Sequence, residues 1–154
     1  MTNHKAQGDV RGPVLALDLG HKLVGTAVSD DKLITIKRLD PIRRSNWKQL
    51  LKDVTALIQR FDAQTLVIGL PLRLDGTPGE AAKNAQQLAT NFARSLRSPV
   101  YLQDERLTSV EAREILLSEG RKPEELPALI DGEAAALILR DFLNSKEDRT
   151  LVSQ

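Results

Sequence analysis

Val14-Leu15-Ala16-Leu17-Asp18-Leu19-Gly20-His21-Lys22-Leu23-Val24-Gly25-Thr26-Ala27-Val28-Ser29-Asp30 is the stretch that decides how this chain folds. An apolar run ends at Asp18, a Gly-His-Lys turn closes it, and a second run returns at once. That pattern predicts an antiparallel hairpin. Asp30-Asp31 turns the chain again, and residues 33–36 predict a third strand of β-branched character. From Ser45, a candidate N-cap, the period changes. Trp47, Leu50, Leu51, Val54, Leu57, Ile58 and Phe61 recur at steps of three and four, the stripe of an amphipathic helix. Thr65-Leu66-Val67-Ile68-Gly69-Leu70 reads as a central strand covered on both faces. A loop over 71–79 and a helix buried through Ala82, Ala85, Leu88, Ala89, Phe92 and Leu96 lead to a fifth strand, Val100-Tyr101-Leu102, ending on Asp104-Glu105. Thr108-Ser109-Val110-Glu111 has the form of a capping box and opens a helix that stops at Gly120. After a linker with two prolines, a last helix is predicted over 131–143.

Three antiparallel strands followed by two βα crossovers imply an α/β domain, a five-stranded mixed sheet flanked by helices. The predicted domain covers residues 13–145. Residues 1–12 read as a disordered tail and 146–154 as a flexible one. Chemistry is expected at the strand ends.

Composition narrows that chemistry. The chain has 154 residues, 22 Lys plus Arg against 21 Asp plus Glu, and no cysteine. Thiolate nucleophiles, disulfides and cysteine-ligated metals are excluded together. Two histidines, His4 and His21, are too few for a His-rich metal site, which leaves oxygen ligands. Five aromatics offer little for base stacking. No apolar stretch approaches the roughly 20 residues of a membrane span, and the first dozen residues lack a signal-peptide core. No membrane association and a cytoplasmic location are therefore expected.

Acidic residues stand at element ends: Asp18 closing the first strand, Asp104-Glu105 closing the fifth, and Asp131 opening the last helix. Distant in sequence, they can meet in space. A few carboxylates suit a hard divalent cation, Mg²⁺ or Mn²⁺, and two such ions support in-line phosphoryl chemistry without histidine or cysteine. Each acid also has a plain structural reading: Asp18 as a turn residue, Asp131 as an N-cap, the acidic pair as partners of Arg106. Gly20 and Gly25 leave backbone bare around the hairpin, where a phosphate could approach Gly20 and Lys22. The turn is no Walker loop, because the lysine and helix that should follow the second glycine are absent. A serine or cysteine triad has no support. Lys37, Arg38, Arg43, Arg44 and Lys48 form the densest positive run, either a solvated loop or a phosphate-backbone surface beside the site.

Four pieces in order carry a resemblance: the hairpin from Leu17 to Asp30; Val67-Ile68-Gly69-Leu70-Pro71-Leu72 with Asp75-Gly76-Thr77; Asp104-Glu105-Arg106-Leu107-Thr108-Ser109; and Ile130-Asp131 followed by Ala134-Ala135. Over about residues 14–143 the chain resembles the YqgF/RuvX group of Holliday-junction resolvases, also described as nucleases for the 5′ end of precursor 16S ribosomal RNA. The resemblance implies the ribonuclease H-like fold. It implies that Asp18, the pair Asp104-Glu105 and Asp131 are metal-binding carboxylates, with Arg106 and Thr108 completing the acidic motif. Glu105 is preferred within the pair for its longer reach, but a one-residue register change would select Asp104. Leu23 stands where the family commonly has a basic or small polar residue. Glu124-Glu125-Leu126-Pro127-Ala128-Leu129 replaces a basic stretch often found before the final aspartate.

The expected activity is metal-dependent phosphodiester hydrolysis in structured nucleic acid, with precursor 16S rRNA first and a four-way DNA junction second. A resolvase cutting two strands symmetrically would need a homodimer, whereas RNA trimming needs one site. Two rivals are a phosphotransferase of the actin–hexokinase type, for which the chain is short of a second lobe, and a non-catalytic nucleic-acid module.

Overall fold

In the computed structural model, which describes residues 3–6, 9–105, 108–146 and 149–153, the strands are β1 (Asn3–Ala6), β2 (Val14–Leu19), β3 (Leu23–Ser29), β4 (Ile36–Arg43), β5 (Thr65–Leu70), β6 (Val100–Asp104) and β7 (Arg149–Val152). The helices are α1 (Trp47–Phe61), α2 (Glu80–Ser95), α3 (Thr108–Ser118) and α4 (Leu126–Asn144), with a 3-10 turn over Pro123–Glu125. The described strands make one seven-stranded sheet in the order β1-β7-β6-β5-β2-β3-β4. β2, β5 and β6 run parallel, so their C-terminal ends open on one edge of the sheet.

The predicted hairpin is present, with Leu15 paired to Val28 and Asp18 to Gly25. The third strand begins later than predicted. Asp30 Oδ1 accepts from the amides of Ile34 at 2.7 Å and Thr35 at 3.0 Å, and Leu33 takes a left-handed φ of 62°. Residues 30–35 are therefore a loop built on the Asp30 carboxylate, and pairing starts at Ile36. Of the basic run, Lys37, Arg38 and Arg43 consequently lie in an edge strand and not a loop, Arg44 follows it, and Lys48 belongs to α1. Pro41 lies where the β3–β4 register shifts, and the buried Thr26 hydroxyl donates to the Asp40 carbonyl at 2.9 Å. A bulge is where an edge strand can carry a residue without an N–H.

Asn46, not Ser45, caps α1: its Oδ1 accepts from the Gln49 amide at 2.9 Å. α1 and α2 cover one face over Leu15, Leu17, Val24, Val28, Leu66 and Ile68. Trp47 meets Phe92 edge-on at 4.8 Å between them. α4 covers the other face over Val14, Ala16, Ala27 and Val67, and α3 packs on α4. Gly120, at φ +86°, ends α3 as predicted, with the Gly120 and Arg121 amides donating to Leu117 and Leu116.

Two expectations are corrected. α4 starts at Leu126, because Pro127 is accepted in the first turn of a helix; Asp131 is thus inside the helix and is no N-cap. The segments expected as tails carry β1 and β7, which raises the sheet from five strands to seven. β7 pairs Leu151 with Tyr101 and Thr150 with Leu102, and β1 pairs with β7. Arg149 anchors this edge. It is buried, donates to the carbonyls of Phe142 at 3.3 Å and Leu143 at 3.4 Å, and lies 4.9 Å from the Phe142 ring centre. Both carbonyls lie in the last turn of α4, where helix carbonyls need partners from beyond the helix; that of Phe142 also accepts from the Ser145 amide at 3.3 Å.

Candidate active site

Strand alternation decides which acids meet. Leu15 and Leu17 face α1 and α2, whereas Val14 and Ala16 face α4, so Asp18 belongs to the α4 face. Across from it stands Gly25. On β5, Val67 shares that face and so does Gly69. On β6, Val100 and Leu102 face the opposite layer and Tyr101 faces α4. Asp104 consequently sits on the α1–α2 side, and Glu105, just past the strand end, returns to the side of Asp18. The Glu105 amide donates to the Leu70 carbonyl at 3.1 Å, which holds the turn-out of the chain.

Gly69 makes the meeting possible. A Cβ there would lie 2.7 Å from Glu105 Cδ and 2.6 Å from Ile138 Cδ1. The Glu105 side chain therefore crosses the bare backbone of β5 to reach Asp18, which is 9% exposed. Burial pushes the Glu105 carboxyl up to about 9, helped by the charge of Asp18, a hydrogen bond with Asp18 and the charge of Asp104. Two carboxyls in one desolvated place share a proton unless a cation relieves them. Asp131 lies seven residues before Ile138 in α4, on the same side of the helix. Its side chain is outside the described residues, as are the side chain of Thr108 and all of Arg106. Among the described residues no group of three acids or histidines is brought together.

The basic residues divide. Gly20 and the exposed Lys22 stand in the β2–β3 turn, at the same edge as Asp18. Arg44 clamps that turn: its Nη1 donates to the Gly20 carbonyl at 2.7 Å, and its amide to that of Lys22 at 2.9 Å. Arg43, exposed, pairs with Leu23 at this same end. Lys37 and Arg38 pair with Val28 and Ala27, farther along the sheet. The Lys37 ammonium lies 5.8 Å from the Phe61 ring centre, and Arg38 is ion-paired to the buried Glu133. Two residues escaped the reading of the sequence as site components. Gly69 carried a signal, since glycine within a strand often marks close approach; Glu133 carried none, being one acid among many on a helix.

A sequence model described as "RuvX: Holliday junction resolvase" matches residues 12–145. The chain belongs to the RuvX family. That match contains β2 to α4 with Asp18, Glu105 and Asp131, and leaves β1 and β7 outside. Relatives of this RuvX chain include two proteins named "Putative pre-16S rRNA nuclease". One, from Synechococcus elongatus, is 38% identical over 87% of this chain and 90% of its own length. The other, from an Anaeromyxobacter species, is 38% identical over 86% and 96%. Among solved structures, Thermus thermophilus RuvC in complex with a Holliday junction substrate aligns with a TM-score of 0.54 at 17% identity, over 90% of this chain and 98% of that one. The fowlpox virus resolvase, complexed with Holliday junction DNA, aligns at 0.53 and 16%, over 87% and 98%. At such identities the likeness is one of fold, and it is the ribonuclease H-like fold.

Proposed function

We propose that this RuvX-family chain is a divalent-metal-dependent nuclease that hydrolyses phosphodiester bonds in structured nucleic acid. One observation carries the reading: Asp18 and Glu105, remote in sequence, bring their carboxyls together in a desolvated place at the C-terminal ends of parallel strands. Such a pair is costly in the absence of a cation and well suited to one. Oxygen donors of this kind favour Mg²⁺ or Mn²⁺. Asp18, Glu105 and Asp131 would hold the metal, with Asp104 adding negative charge from the other side of the sheet. Two divalent ions would supply Lewis-acid stabilisation of the attacking and leaving oxygens.

The chain's own residues do the rest. Arg44 holds the β2–β3 turn in shape, so that Lys22 and Arg43 meet the phosphate backbone beside the carboxylates without reading base sequence. Supported by the names of its relatives, the first substrate is the 5′ region of precursor 16S rRNA. The family description and the two resolvase complexes favour a second, the four-way DNA junction, which calls for a homodimer.

The test is cleavage of both labelled substrates by wild type and Asp18→Asn, with Mn²⁺ or with EDTA. Cutting should require metal and fall more than about 100-fold in the mutant, beyond the usual cost of losing an outer-shell partner, with the melting temperature preserved. Full activity of Asp18→Asn would overturn the assignment. Binding without cutting of either substrate would make the chain a non-catalytic module.

A further inference from the structure

The contact between α4 and the sheet is built from small residues. Ala16 and Ala27 on the strands share a buried cluster with Ala135 and Ala136 on the helix, beside the bare backbone of Gly25 and Gly69. Small side chains bring the helix close, but smooth surfaces interlock poorly and discriminate weakly between neighbouring placements. Within this contact, level with Ala27, is a buried charge. The Glu133 side chain is 4% exposed, and its Oε2 is ion-paired to Nε of Arg38, whose own side chain is 54% exposed. No other described group donates a hydrogen bond to that oxygen. Arg38 belongs to β4, opposite Ala27, and so lies on the sheet face that α4 covers. The pair forms one wall of a cleft of about 310 Å³ between β4 and the helices. A buried carboxylate oxygen whose one partner among the described residues stands on another element is tied to that element, and the best-attested use of such pairs is to select register.

We propose that Glu133 is a positioning residue: by pairing with Arg38 it sets the axial and rotational register of α4 on the sheet, and so places the helical turn of Asp131 relative to Asp18 and Glu105. The inference rests on the reading of those acids as a metal site. Glu133 is two residues beyond Asp131, so a slip of α4 that frees Glu133 from β4 moves Asp131 with it. Arg38 then acts within the fold and not as a phosphate contact.

The experiment compares wild type, Glu133→Gln and the double variant Arg38→Met/Glu133→Leu, which removes both charges and keeps an apolar contact. Mn²⁺ affinity is measured by calorimetry without nucleic acid, and hydrogen exchange is followed for amides 131–139. Both variants should melt cooperatively. Their Mn²⁺ dissociation constant should rise about tenfold or more, the usual cost of losing an outer-shell partner, and exchange in α4 should quicken by about tenfold. In cleavage, kcat should fall while KM for nucleic acid stays constant. Wild-type Mn²⁺ affinity and wild-type exchange in either folded variant would overturn the inference; if the double variant fails to fold, Glu133→Gln decides. If wild type itself binds no Mn²⁺, the proposed function falls, and the exchange rates still decide whether Glu133 sets the register.

Discussion

At the scale of single residues, the Asp18–Glu105 pair makes the metal-free protein sensitive to pH. The Glu105 carboxyl rises from 4.5 to about 9 on folding, first through burial and then through Asp18. Folded chains therefore keep a proton that unfolded chains have already released. The resulting stabilisation is complete below about pH 4.5 and is lost progressively as pH rises towards 9. In EDTA, the melting temperature of wild type should decline between pH 5 and pH 9, and Glu105→Gln should flatten this profile. Mn²⁺ should raise the melting temperature more at pH 8 than at pH 6, because at the lower pH the metal competes with the shared proton. A flat wild-type profile in EDTA would exclude the shared proton. Asp18 and the Asp104-Glu105 pair were legible in the sequence as polar residues at strand ends, whereas Asp131, read as opening the last helix, lies within α4. The choice between Asp104 and Glu105 was not, since it depends on where β6 stops alternating.

Among elements, β5 and α1 give the sharpest expectations. Gly69→Ala inserts a methyl carbon where Glu105 Cδ and Ile138 Cδ1 already stand, at 2.7 and 2.6 Å. Relief requires Glu105 to swing away from Asp18 or α4 to lift. The variant should lose about 1–3 kcal/mol in urea unfolding and nearly all metal-dependent cleavage; wild-type values for both would show the contact to be loose. α1 ends on Asp62 at φ 51°, with the Asp62 and Ala63 amides donating to Gln59 and Ile58. Glycine takes this conformation without the Cβ clash, at some entropic cost. Asp62→Gly should therefore stabilise by about 0.5–1 kcal/mol, read as a higher urea midpoint with an unchanged slope. Helix periodicity placed α1 correctly because a 3.6-residue stripe is a local property. The start of α4 escaped that reading because Pro127 resembles a breaker and is tolerated only within the first turn.

For the molecule as a whole, the last strand is part of the domain. Arg149 satisfies two carbonyls at the end of α4, and Val152, 4% exposed, joins the core against α2 and β6. Ending the chain after Ser145 should cost about 3 kcal/mol, from the loss of one buried valine and the helix-end hydrogen bonds. Calorimetry should show a lower melting temperature, with cleavage retained wherever the truncated chain stays folded. An unchanged melting temperature would mean that β1 and β7 contribute nothing to the stability of the domain.

The sequence by itself determined the hairpin, the two crossovers, the three acidic positions and the likeness to the RuvX family, because strand alternation, helical period and turn chemistry are written within a few neighbouring residues. Tertiary structure alone decided the rest. Which acid of the Asp104-Glu105 pair joins Asp18, why Gly69 must lack a side chain, how Arg38 and Glu133 find each other, and that four residues at each end complete the sheet all depend on partners far away in the chain. Short edge strands and buried charges have little preference of their own, and take their conformation from the groups that satisfy them.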